Sequence, residues 1–244
     1  MIDEIIGQVG ILSPFLIMGL GLVVGIQHAF EPDHVTAIST QISKSKLTKK
    51  STKQLILESV TKSSIIGVFW GAGHTTTLVL IGFLVYVLAI SIQNQIFLGF
   101  EFVVGIMLVC LGITTIFNKK IRFKHKHPHQ HKDGTLHLEE HNHDDSSHKH
   151  SHKSYLIGLV HGLAGSGSLV VLTAITFDNV GSMLGFIVIF GVGSIIGMTF
   201  VGSLIGLPLA FGNRIGLIQK VFRYIAGTLS LVIGFNIMYQ IGWI

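Results

Sequence analysis

The sequence predicts an all-α integral membrane protein, with six transmembrane helices arranged as two inverted three-helix repeats. Three observations carry that expectation: long uncharged apolar runs, basic residues confined to alternate connections, and short motifs that recur between the two halves. Of the 244 residues, 49% are hydrophobic and only 12% charged. A soluble domain carries about twice that share of charge, roughly 25%, so most of this chain is built for lipid.

A hydrocarbon core about 30 Å thick takes about 20 apolar residues per helical span. Six segments reach that length, at 11–31, 64–90, 96–117, 154–177, 182–211 and 221–243. The first residues, MIDEIIGQVG, lack the basic start and small-residue cleavage site of a signal peptide, so the first span is expected to be retained. The single cysteine, Cys110, falls inside the third span, which excludes an intrachain disulfide framework and a thiolate metal cluster.

All 17 Lys and Arg lie in three places: from Lys44 to Lys62, from Lys119 to Lys153, and at Arg214, Lys220 and Arg223. With six spans, these connections share one side of the membrane. Basic loops stay cytoplasmic, so a multi-pass protein of the cell membrane is expected, with both termini outside. The net charge of +5 is then a topology signal, and no nucleic-acid partner is expected.

The halves, 1–117 and 154–244, flank a linking segment, 118–153. GIQH at Gly25–His28 is matched by GLVH at Gly158–His161, and FWGAGH at Phe69–His74 by IFGVGS at Ile189–Ser194. Gly105 and Gly112 are matched by Gly227 and Gly234. A tandem repeat of three spans must enter the membrane in opposite senses, an architecture recurrent in secondary transporters, with the substrate site between the repeats.

An ionisable side chain at membrane depth costs at least about 2.5–3.5 kcal/mol on insertion scales, and therefore marks a site or pathway. His28, Glu31, Asp33 and His34 fall within seven residues at the end of the first apolar run. In an unbroken helix, His28 and Asp33 would point about 140° apart. Pro32 removes a backbone donor and clashes with the turn before it, so the helix is expected to kink or unwind around 28–32 and bring these groups together. The alternative is a helix that ends at Glu31, leaving the polar residues in a cytosolic loop. Two more histidines lie within spans, His74 and His161. Together they point to a divalent metal site, and imidazole with carboxylate suits Ni, Co, Zn or Mn better than Cu(I).

Thr75 and Ser166 are further candidates for the metal's path, with Glu31 and His161. Thr75, Thr76 and Thr77 can equally bond the carbonyls of the preceding turn. GLAGSGS at 162–168 lacks the Lys-Ser/Thr ending of a phosphate loop, and HAFEPDH is not the HExxH of a zinc protease. No enzyme activity, catalytic residue or permanently bound cofactor is expected.

Ten of the 14 histidines lie in the linking segment. Its composition cannot bury a core, so it is expected to be a disordered cytoplasmic loop. His125, His127, His129, His131, His141, His143, His148, His150 and His152 are candidates for weak, exchangeable metal sites.

HAFEPDH resembles the His-x4-Asp-His motif of the nickel/cobalt transporter family, usually written HAxDADH. FWGAGHTTTLVL is similar to that family's second motif, around LGHSTVV, and GLVHGLAGSGSLVVL to its smaller urease-accessory-type branch. The resemblance implies transport of Ni2+ or Co2+ as substrate, with His28, Asp33 and His34 essential for metal handling and His74 a binding or selectivity residue. It also brings urease or hydrogenase maturation factors into view as cytosolic partners, beside divalent ions and membrane lipid. Glu31 and Pro32 depart from the family pattern, which has Asp and Ala there. Uptake is the expected direction; efflux by the same scaffold and a non-transporting metal chaperone or sensor are the alternatives.

Overall fold

The structure is a computed structural model and describes residues 14–45, 47, 51–88, 94–117, 127–130, 136–139, 149–162, 177, 179–212 and 216–242. Helix α1, Pro14–His28, is apolar until its last turn. It stops where the amides of Phe30 and Glu31 donate to the carbonyls of Gln27 and His28, at 3.0 and 3.1 Å. A residue before proline is pushed out of the helical region. Glu31 is accordingly extended, at φ −59° and ψ 144°, and Pro32 opens a second helix, α2, Pro32–Ile42. The break falls where the proline in the sequence places it.

Helices α3 (Thr52–Leu88) and α4 (Asn94–Ile116) follow. Strands β1 (His127–Gln130) and β2 (Leu136–Glu139) pair antiparallel, setting His129 opposite His137. Regular backbone pairing therefore occurs inside the segment expected to lack structure. Then come α5 (Lys149–His161), α6 (Val180–Gly212) and α7 (Gly216–Gly242).

Four helices, α3, α4, α6 and α7, are long and apolar enough to cross a membrane. They coincide with the second, third, fifth and sixth expected spans. The first span is instead α1, a break and α2, because Pro32 divides it. The fourth begins with α5, which starts at Lys149, inside the expected loop; 163–176 lie outside the described residues. Large apolar side chains such as Leu80, Phe200, Leu217 and Val232 are exposed around the bundle. Apolar exposure on this scale on four membrane-length helices describes a multi-pass membrane protein. Helix α3 is about 55 Å long at 1.5 Å per residue, longer than the hydrocarbon core. Its first turns carry Lys53, Glu58 and Lys62, and Lys62 pairs with Glu58 at 2.8 Å.

Association of helices in lipid relies on close backbone approach at small residues. A Cβ at Gly25 would overlap the Phe190 carbonyl, and one at Gly193 the Leu22 carbonyl, so α1 and α6 touch backbone to backbone. Gly158 and Gly73 do the same against the carbonyls of Trp70 and Tyr155, joining α5 to α3. Between α4 and α7, Gly112 and Gly234 each lie with a would-be Cβ 2.7 Å from the carbonyls of Gly227 and Gly105 respectively. Helix α2 fills the interior, burying His34, Thr36, Ala37, Ile38, Thr40 and Ile42.

Overpacking a close contact costs about 1–3 kcal/mol. Gly158→Val is therefore expected to lower the melting temperature of the detergent-purified protein by several degrees, whereas Gly19→Ala, with none of the described residues within 4 Å of the added Cβ, does not lower it. Fluorescence-detected thermal unfolding of the two variants makes the comparison.

Candidate metal centre

The helix break gathers the polar residues of the first span. His28 closes α1, Asp33 and His34 open α2, His74 sits midway along α3, and His161 closes α5. All four imidazoles are buried: His28 is 3% exposed, His161 1%, and His34 and His74 0%. The alternative of a cytosolic polar loop after Glu31 does not hold for His34, which lies in the core.

Asp33 joins them. Its Oδ1 lies 3.0 Å from His34 Nδ1 and also accepts the His34 amide at 2.9 Å, while its Oδ2 lies 3.0 Å from His161 Nε2. His28 Nε2 and His74 Nε2 are 3.1 Å apart, and Glu31 approaches His28 Nδ1 at 3.1 Å. The rings of His28 and His34 stand 4.2 Å apart between centroids, and those of His34 and His161 4.3 Å.

Two sets of ligand atoms result. His28, His34 and His74 form one, and Asp33, His34 and His161 the other; within each, the ligand atoms lie no more than 4.8 Å from one another. His34 belongs to both. Buried polar atoms are normally paired, and leaving one unpaired costs about 1–3 kcal/mol. Here, among the described residues, His34 Nε2, His74 Nδ1 and His161 Nδ1 have no partner. Clustered imidazoles beside a carboxylate are a donor set for a divalent transition metal.

No sequence motif points to Trp70 as a site residue, yet its ring is 5.2 Å from both His34 and His161 and is fully buried. A signal was present, since Trp70 and His74 are four residues apart and share a helix face. The threonines bond backbone: Thr75 Oγ1 donates to the Gly71 carbonyl at 2.8 Å, Thr76 to Ala72 at 2.8 Å, and Thr77 across to Leu159 at 2.8 Å. Ser166, His125, His131, His141, His143 and His148 lie outside the described residues. His127 and His129 lie on β1, and His150 and His152 on α5.

A family model described as the cytochrome C biogenesis protein transmembrane region matches residues 71–236, more than half of the chain. The urease accessory protein UreH of Bacillus sp. (strain TB-90) is 37% identical over 235 residues, covering 96% of this chain and 94% of that protein. The chain belongs to this transmembrane family and is a relative of UreH. No solved structure matches it. The family model leaves out α1, α2 and the first turns of α3, whereas the match to UreH takes in nearly the whole chain. The urease-accessory-type resemblance of the α5 motif agrees with that relative.

At the rim, Ser154 Oγ donates to Gln41 Oε1 at 2.8 Å, and Lys44 Nζ to Thr114 Oγ1 at 2.9 Å, pinning the end of α2 to α5 and α4. Burial, and then the charge of Lys153, lowers the Lys44 pKa from 10.5 to about 8. Between those values the unfolded chain binds more protons at this site, so its contribution to stability rises with pH through that window. Lys44 should acylate ahead of ordinary lysines at pH 8, with its midpoint moving up in Lys153→Ala; peptide mapping after pulse acylation reads both. A second test addresses the carboxylate. Asp33→Asn keeps the shape and removes the charge, and should weaken Ni2+ binding about 10–100-fold, measured calorimetrically on protein lacking residues 123–152.

Proposed function

We propose that the protein carries Ni2+ or Co2+ across the cell membrane, into the cell, by a secondary mechanism. The observation that carries this reading is the gathering of four buried imidazoles from four separate helices, His28, His34, His74 and His161, around the partly buried Asp33, whose carboxylate touches His34 and His161. A lone buried histidine is ordinarily structural. Four imidazoles with three unpartnered nitrogens are better accounted for by a cation that is their missing partner. The nitrogen and oxygen donors suit borderline divalent ions. The relative's name ties it to urease, and the motif resemblance implies nickel or cobalt as cargo.

In this reading the chain has six spans in two inverted repeats, within the nickel/cobalt transporter family, with the site between them. The supporting contacts recur at fixed offsets: Gly25 against the Phe190 carbonyl corresponds to Gly158 against that of Trp70, and Gly193 against Leu22 to Gly73 against Tyr155. Basic connections place both termini outside and residues 118–153 in the cytoplasm. Ion enters the centre after shedding most of its water and meets the imidazoles. Asp33 compensates part of its charge, and the shared His34 lets it pass between the two donor sets without being wholly released. The histidines of 118–153, with His127 and His129 on β1, receive it on the cytoplasmic side and hand it to cytosolic maturation factors. The protein acts as a carrier, not as an enzyme.

Accumulation of radioactive nickel or cobalt in cells expressing the wild type should exceed that of cells expressing His28→Ala by about tenfold or more, the loss expected for a disrupted metal centre. Equal accumulation at equal membrane abundance removes the centre from transport. Lower metal content and higher metal tolerance on wild-type expression assign the opposite direction.

A further inference from the structure

The matched contacts extend into the metal centre itself. Residues 22–29 of α1 correspond to 155–162 of α5, and 70–77 of α3 to 190–197 of α6. The correspondence is carried by geometry as well as by sequence. The His28 ring lies 5.2 Å from Phe190, and the His161 ring 5.2 Å from Trp70. A Cβ at Gly162 would meet the Thr77 Cβ at 3.0 Å, and one at Gly197 the Ala29 Cβ at 2.6 Å. Where α3 and α6 cross, Gly191 faces Thr75 and Gly71 faces Ile195.

In this correspondence His28 pairs with His161, and His74 with Ser194. The first half completes its contact, since His74 reaches His28 at 3.1 Å. The second half has a serine in the corresponding place. Its side chain is too short to make the same reach towards His161. Ser194 is fully buried, and among the described residues neither its Oγ nor His161 Nδ1 has a partner. Ser194 thus stands, as a buried hydroxyl without a contact of its own, at the position that His74 takes in the other half, while His161 turns its Nε2 to Asp33 at 3.0 Å. A buried hydroxyl in a helix ordinarily bonds the carbonyl one turn earlier, as Thr75 and Thr199 do. Ser194 does not.

We infer that Ser194 is an oxygen donor to the cargo ion, or to a water the ion retains, on the side of the centre formed by Asp33, His34 and His161. The inference rests on the reading of this centre as a nickel or cobalt path. It gives the two donor sets different chemistry. His28, His34 and His74 offer nitrogen alone; the second set offers two nitrogens with carboxylate and hydroxyl oxygen. Harder, oxygen-richer donors hold Ni2+ and Co2+ less tightly than imidazole clusters do. Conduction needs a site weak enough to leave as well as one strong enough to enter. Ser194 then sets both the ease of release and the preference for borderline over soft ions.

Cysteine substitution gives a direct readout. The chain has one cysteine, Cys110, on the exposed surface of α4, so Cys110→Ser provides a thiol-free background. In that full-length protein, Ser194→Cys is expected to develop a thiolate-to-cobalt charge-transfer band in the near ultraviolet on addition of Co2+. The background protein shows only visible ligand-field bands. Histidines of the 118–153 segment cannot produce the thiolate band, so the segment stays in place. Ligand-field bands without the charge-transfer band overturn the inference, whatever the protein transports. If Ser194→Cys does not yield folded protein, cobalt uptake by Ser194→Ala and Ser194→Thr decides. A KM raised about tenfold in the alanine variant and near wild type in the threonine variant supports the hydroxyl as donor; equal KM values in the two overturn it. Loss of uptake in every protein, the wild type included, alongside a charge-transfer band would refute the transport reading and leave the donor assignment standing.

Discussion

The Asp33 carboxylate holds the interior of this protein together. One of its oxygens lies against His34, next to it on α2, and the other against His161 at the end of α5, 128 residues away in sequence. A carboxylate withdrawn from water is tolerated only when its oxygens find donors, and here both partners are buried imidazoles. The same contact therefore fixes the orientation of two imidazoles and ties the two halves of the chain to each other. Remove it and α2 loses its polar anchor in the core, leaving the aliphatic packing of Ala37, Ile38 and Ile42.

Pro32 makes that arrangement possible. A continuous helix would have carried His28 and Asp33 to different faces. The break at Ala29–Glu31 lets α1 end with His28 pointing at His74 while α2 begins with Asp33 and His34 pointing at α5 and Trp70. Glu31, extended before the proline, stays within reach of His28 on the outer side of the cluster. A single residue thus converts one apolar run into two helices that aim imidazole and carboxylate in different directions.

Much of this was legible in the sequence because membranes simplify the reading. Apolar length places α3, α4, α6 and α7, and the rarity of ionisable groups at depth makes His74 and His161 conspicuous. Proline chemistry places the break. The extent of α5 was harder to read: its first turn, KHSH, is polar and sits within a histidine-rich tract, so neither hydropathy nor periodicity separates helix from linker there. Trp70 escaped notice because a tryptophan in an apolar helix is unremarkable until its neighbours are known. The pairing of Ser154 with Gln41 and of Lys44 with Thr114 joins residues 113 and 70 positions apart. No local pattern encodes such partners.

The glycine seams have a mechanical consequence. Along α1–α6 and α3–α5 the polypeptide backbones themselves are in contact, with no side-chain layer to deform between them. Such joints are stiff to sliding, and each pair behaves as one beam. The two beams meet where Gly71 faces Ile195 and Gly191 faces Thr75, so that crossing is where one can tilt against the other, and His28 rides on one beam while His74 and His161 ride on the other.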